Sequence, residues 1–293
     1  MASVPVSAFA AMPPAVHAEL ARRGIPLTDL AALPDLRDGE PLLLAGSYAS
    51  GEANPTSDLD LLVLTAETGS RAPAGSSNHP SIFGDSYDIA LADLTVNLEY
   101  VPQTRFLDLC EAVNSARDGC EVGNFQSLEL RLAQRVTTGI GLTGADALAT
   151  LRGRLHYPTV RASAAALSFV MAMSLLEDTQ VLVPPGQLLM LRGAGEWLLL
   201  AAINTVGPIT YDTKHLFGRA ARLAGDLGAP TALAAAEQLV FTERLPVDES
   251  VAVLLDHAQD LYRLLAAEAE HRQILQMLRP FESSWRWTGR LFG

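Results

Sequence analysis

The sequence predicts an N-terminal α/β domain over residues 1–122 and an all-helical domain over residues 123–293. Three observations carry this. Residues 41–101 contain short apolar runs of strand length, bounded by Gly, Pro, Ser and Asn. After about Leu107 the apolar residues fall at helical spacing instead. The chain has 293 residues, 49% hydrophobic and 18% charged, which is enough material for two compact domains and argues against long disorder.

In chain order, Val16–Arg23 reads as a short helix after Pro13-Pro14, stopped at Gly24. Pro41–Ala45 is a buried strand that ends at Gly46, and Ser47–Gly51 a brief helix. Glu52–Ser57 is a turn-rich connector and Asp58–Thr65 a second buried strand. Ala66–Pro80, rich in Gly, Ser, Ala and Pro, reads as a loop, followed by strands at Ser86–Ala92 and Thr95–Val101. Helices are expected over Phe125–Thr138, Ala145–Leu155, Val160–Glu177, Gly186–Thr205, Asp212–Leu227, Thr231–Phe241 and Ser250–Arg279.

The formal net charge is −12. Nucleic-acid binding rests on Lys and Arg that neutralise phosphates, and there is no basic run here, so a general nucleic-acid partner is disfavoured. The same acidity suits a cationic small molecule. Cys110 and Cys120 form no metal-binding or disulfide pattern, and the first residues carry no positively charged leader. The expectation is a reduced, cytoplasmic protein. Of the two most apolar stretches, Ala162–Leu176 is short for a bilayer and Leu188–Ile203 contains Arg192 and Glu196. Both read as core helices, with no membrane partner. The oligomeric state is left open.

The chemistry concentrates in Leu42–Leu64. Strand side chains alternate, so Asp58 and Asp60 share a face. Two carboxylates so placed repel each other and resist desolvation, yet apolar residues carry the strand straight into the core. A cation resolves the conflict. Mg²⁺ takes carboxylate oxygens and completes its shell with water and phosphate. On the neighbouring strand, Gly46 allows close backbone approach, and the Ser47 hydroxyl and following N–H groups suit phosphate oxygens.

Gly46-Ser47, ten intervening residues and then Asp58-Leu59-Asp60 resembles the signature of the DNA polymerase beta-like nucleotidyltransferase superfamily, which includes aminoglycoside, lincosamide and minimal nucleotidyltransferases. Pro55-Thr56-Ser57 before the acidic pair resembles the family's usual approach to it. The resemblance implies an α+β fold, with a mixed sheet and helices followed by a helical domain. It implies two Mg²⁺ ions and an NTP, with ATP the default because the resembling families mostly use it. It also implies a third carboxylate on a nearby strand, for which Glu99 is the first choice and Asp88 the alternative. Glu129–Leu155 resembles the helix-turn-helix that follows such catalytic domains. Thr210–Leu223 resembles a later helix whose lysine approaches the phosphates, and Lys214 is the chain's only lysine.

The implied activity is in-line attack of an acceptor hydroxyl on the α-phosphorus, with pyrophosphate leaving. Asp58, Asp60 and Glu99 would hold metal, Gly46, Ser47 and Lys214 the nucleotide, and Glu99 could also take the proton; Glu129 and Glu196 are lesser candidates for that base. The acceptor class is a small molecule bearing a hydroxyl. The alternatives are nucleotidylation of a protein or RNA, and a non-catalytic nucleotide-binding partner or antitoxin. Plainer readings stand beside several residues. Asp58 and Asp60 could be a turn-capping pair, Ser47 a simple helix cap, Glu99 an exposed edge acid and Lys214 a solvated helix residue. His215 reads as a structural histidine, Arg219 and Arg222 as surface or ion-pairing residues, and Trp285 and Trp287 as docking the C-terminal tail.

Overall fold

The computed structural model describes residues 4–66, 71–73, 75–81, 83–119, 127–210, 213, 215–223 and 246–287. The chain divides into two compact units, Met1–Glu111 with Leu132–Leu155, and Ala112–Arg131 with His156–Gly293. The expected junction at residue 122 lies outside the described residues. The units interleave instead of following one another, because the chain returns to the first unit after leaving it.

The first unit opens with a 3-10 turn at Val6–Ala11 and helices α1 (Pro14–Arg22) and α2 (Leu27–Ala31). Strand β1 (Leu42–Ala45), helix α3 (Gly46–Ser50) and strand β2 (Leu59–Thr65) follow. Next come β3 (Ser77–Pro80), β4 (Asp85–Leu91), β5 (Leu94–Pro102) and α4 (Gln103–Gly119). Helix α5 (Ser127–Thr138) leads into the two-residue strand β6 (Ile140–Gly141) and α6 (Ala145–Arg154); α4 from Ala112 on and α5 as far as Arg131 are counted with the second unit.

The six strands form one mixed sheet in the order β3-β4-β5-β2-β1-β6. Only β2 and β5 run parallel; the other neighbours are antiparallel. One face is apolar. Leu42, Leu44, Leu59, Leu61, Val63, Val96 and Leu98 pack there on Phe9, Val16, Leu20 and Leu30 from the N-terminal helices. Alternation therefore turns Asp60, Asn97, Glu99 and Asp88 to the opposite face. Strand β6 closes the edge beside β1, with Leu142 N–H donating to the Leu42 carbonyl at 2.7 Å and Thr143 Oγ1 accepting from Leu42 N–H at 3.0 Å. These bonds draw Leu132–Leu155 into the first unit.

The second unit is helical. Helices α7 (Tyr157–Asp178), α8 (Pro184–Val206), α10 (Val247–Ala267) and α11 (Arg272–Glu282) share one apolar core, and α9 (Leu216–Leu223) packs on α8 through Leu199, Leu200, Ile203, Leu216 and Ala220. The architecture is α+β, a mixed sheet with helices in the N-terminal part and helices in the C-terminal part.

Several elements differ from the sequence reading. Strand β2 begins at Leu59, leaving Asp58 exposed just before it. Ser77–Pro80 is a strand inside the expected loop, paired only along β4. Helix α4 was not expected, although Phe106, Leu109, Cys110 and Val113 are buried at helical spacing. The single helix expected over Ser250–Arg279 is broken at Glu268, whose backbone is extended, and a 3-10 turn at Ala269–His271 follows. No Gly or Pro marks this break. Leu265 and Ile274, on either side of it, reach the same core, which a straight helix would not allow. The apolar run Ala162–Leu176 belongs to a 22-residue helix, long and apolar enough by length and composition to cross a membrane, with 67% of its most apolar window buried within the protein. Lys214, Cys120 and the helix expected over Thr231–Phe241 lie outside the described residues.

Candidate active site on the first unit

Ala45, the last residue of β1, is the cross-strand partner of Asp60 in β2. The chain must turn immediately after Ala45, and Gly46 makes the turn with φ +64°, a conformation L-residues adopt at a cost. A β-carbon at position 46 would stand 1.9 Å from Asp60 Oδ2 and 2.8 Å from Asp60 Cγ. The Asp60 carboxylate thus lies directly against the bare backbone where β1 passes into α3. Ser47 follows, half-buried, and Gly51 ends the helix with φ +72°.

The connector back to β2 is a tight turn. Asn54 N–H donates to Ser57 Oγ at 2.9 Å, Ser57 N–H to the Asn54 carbonyl at 2.9 Å, and Thr56 N–H to Asn54 Oδ1 at 2.9 Å. Arg23 fastens this turn to the N-terminal helices by donating to the Pro55 carbonyl at 2.7 Å. Asp58 leaves this fixed turn exposed and makes no salt bridge among the described residues.

Glu99 is on β5, opposite Leu62, two positions along the parallel ladder from the Asp60–Asn97 pair and on the same face of the sheet. It is 4% exposed. Each of its carboxylate oxygens accepts a hydrogen bond: the Ser81 hydroxyl donates to Oε1, and Arg135 Nη1 donates to Oε2. The same guanidinium donates through Nη2 to Asp60 Oδ1 at 3.0 Å. Arg135, on α5 and 8% exposed, therefore bridges the two acids. Asp88, the alternative third carboxylate, accepts from Asn97 Nδ2 at 3.0 Å, and the same amide donates to Ser86 Oγ at 3.1 Å.

This arrangement does not fit a centre with two metal ions and three carboxylates. An ion between Asp60 and Glu99 would have to share that space with a guanidinium, which cannot lose its charge. Among the described residues no group of three or more His, Cys, Asp or Glu side chains could hold a metal ion. Glu99 was expected to meet its positive charge in a metal ion; in this structure it meets the Arg135 guanidinium. Ser81 and Arg135 each donate to one of the two oxygens that its expected role as proton acceptor would use.

The sequence reading gave Arg135 no role. Its signal was present: it follows Leu132 by three residues and adjoins Val136 on the buried side of an amphipathic helix, where an arginine needs a partner. Glu129, Glu196, His215, Trp285 and Trp287 all belong to the other compact unit. Trp285 docks in its core, with its ring centroid 5.6 Å from that of Phe169. Arg219 donates to Thr210 Oγ1 within that unit.

The Gly46-Ser47 turn is thus seated against the start of β2, with Asp58 just before the strand and Asp60 within it. Residues 32–109 match the family model for the nucleotidyltransferase domain, which supports the polymerase beta-like superfamily for this segment. Among solved structures, a nucleotidyltransferase-like protein from Exiguobacterium sibiricum 255-15 is similar at 17% identity, covering 90% of this chain and 80% of that one with a TM-score of 0.42. No curated protein matches. Arg135 lies beyond the matched residues; Gly46, Ser47, Asp58, Asp60 and Glu99 lie within them.

Proposed function

We propose that this protein transfers a nucleotidyl group, AMP from ATP by default, to a hydroxyl of a small-molecule acceptor and releases pyrophosphate. The observation that carries the reading is the seating of the Asp60 carboxylate on Gly46, which sets an acidic strand start beside a serine turn. In this reading the Ser47 hydroxyl and neighbouring N–H groups hold phosphate oxygens. The acceptor hydroxyl attacks the α-phosphorus in line, and exposed Asp58 is the group available to receive its proton. Arg135 keeps Asp60 in one orientation, so the work of the site is positioning more than covalent chemistry. Lys214 remains the proposed phosphate contact from the helical part. A cytoplasmic setting and a cationic acceptor belong to the same proposal, the latter drawn from the net charge of −12.

The test is pyrophosphate release from each NTP over a panel of hydroxylated small molecules, cationic and neutral. The expected result is release that depends on the acceptor and is lost in Asp58→Ala and Asp60→Ala. Release that ignores both substitutions would overturn it.

One observation favours a second reading. Arg135 already neutralises Asp60 and Glu99, as would suit a domain that binds nucleotide without turning it over. NTP binding by calorimetry with no pyrophosphate release from any acceptor would select that reading.

A further inference from the structure

We propose that Arg135 is a built-in cation that permanently fills the space between Asp60 and Glu99, so that the free protein binds no divalent ion there. Any ion this chain uses would then arrive with the nucleotide and meet Asp58 and the outer side of Asp60.

The geometry is specific. Arg135 reaches one acid with each terminal nitrogen, Nη1 to Glu99 and Nη2 to Asp60, and these acids stand on adjacent parallel strands. Ser81 occupies the other oxygen of Glu99. The side chains of Arg135 and Glu99 are 8% and 6% exposed, while Asp60 is 22% exposed. Exposure thus rises from the Glu99 end of the bridge to the Asp60 end.

A divalent ion at that point would require oxygen ligands on all sides and would face the guanidinium charge at close range in a poorly solvated place. Arginine does not deprotonate to relieve the repulsion. Ion and arginine therefore exclude each other. The planar fork of the guanidinium matches two carboxylates in a way that lysine would not. Were the guanidinium to leave, Glu99, whose side chain is 6% exposed, would keep the Ser81 hydroxyl but lose its countercharge.

The inference concerns the protein without nucleotide, so it stands or falls apart from the transfer reading. The experiment uses the full chain stripped of metal by chelation. Mn²⁺ binding is followed by electron paramagnetic resonance, and thermal unfolding is followed across a Mg²⁺ titration. Wild type is expected to show no saturable Mn²⁺ site and no shift in unfolding temperature with Mg²⁺. Arg135→Met is expected to bind Mn²⁺ about tenfold more tightly or better, and to unfold at a higher temperature as Mg²⁺ is added. Adding Glu99→Gln to that variant should abolish both gains.

Saturable Mn²⁺ binding by the wild type that is lost in Glu99→Gln would overturn the proposal. A folded Arg135→Met that binds Mn²⁺ no better than wild type would also overturn it. If Arg135→Met does not fold, the wild-type titration, with and without Glu99→Gln, decides alone.

Discussion

Gly46 and Asp60 meet with no space for a side chain between them. An added β-carbon at position 46 would lie 1.9 Å from Asp60 Oδ2, and the φ of +64° is unfavourable for any L-residue. Gly46→Ala should therefore cost about 1–2 kcal/mol through the backbone alone. It should also push the carboxylate off its seat, away from Arg135. We expect a lower urea midpoint together with loss of pyrophosphate release. A variant with wild-type midpoint and wild-type release would mean that this seat is not occupied.

The bridge through Arg135 makes a second prediction, about coupling. Removing one partner of a buried ion pair costs about 3–5 kcal/mol, whereas removing both charges costs far less. In buffer containing chelator, Arg135→Met should be strongly destabilised because Glu99 is left charged and buried. The double variant Arg135→Met with Glu99→Gln should recover a large part of that loss. Denaturant curves for the two single variants and the double variant measure the coupling. Additive losses would show that the two side chains do not depend on each other.

Much of the first unit was legible in the sequence because local signals there agree with tertiary structure. Gly46 and Gly51 bracket α3, apolar runs mark β1 and β2, and the acids fall where alternation places them. The missing pieces were settled at long range. Strand β6 has two residues, too few for any period, and exists because β1 offers it an edge. Strand β3 exists because β4 does. The pairing of Glu99 was not legible for the same reason. Its need for a positive partner was visible at position 99, but the partner is 36 residues away on a helix, and an ion or an arginine would satisfy the same sequence pattern. The break at Glu268 is likewise invisible locally, since Ala266–His271 holds no residue that disfavours a helix as Gly or Pro does.

A second buried pair gives a pH prediction. Glu40 is 3% exposed and accepts from Arg37 N–H at 2.9 Å, Ala66 N–H at 3.1 Å and Arg71 Nη2 at 2.8 Å. Arg71 also lies over the Tyr100 ring, 5.7 Å from its centroid. Burial pushes the Glu40 carboxyl up, but the Arg71 guanidinium and the two backbone donors pull it further down, and the net direction is below its ordinary value of 4.5. A carboxyl lowered in the folded state stabilises fully above the unfolded value and loses that contribution as pH falls through the folded value. Wild type should thus lose stability below about pH 4.5, and Glu40→Gln should show a shallower acid limb from a lower starting point. Parallel acid limbs in urea unfolding at pH 3 to 6 would exclude this role for Glu40.

His257 should act in the opposite sense from an ordinary surface histidine. It lines a cavity of about 30 Å³ with Gly195, Leu198, Leu199, Ala202, Leu254 and Leu261, and its Nδ1 is buried without a hydrogen-bond partner. Burial holds its pKa below the ordinary 6.5, against the opposing pull of Asp260 and Asp256. The folded state therefore resists protonation while the unfolded state accepts it, so stability falls as pH drops below about 6.5 and levels off once the folded value is passed. His257→Leu removes both the unpartnered nitrogen and the titration, and fills apolar space with an apolar side chain. An unpaired buried polar atom costs about 1–3 kcal/mol, so the variant should be more stable at neutral pH by about 1 kcal/mol. Its advantage should grow between pH 7 and pH 5 in thermal or urea unfolding. An advantage that stays constant over that range would show that His257 is equally protonated in both states and is not held neutral by the helical core.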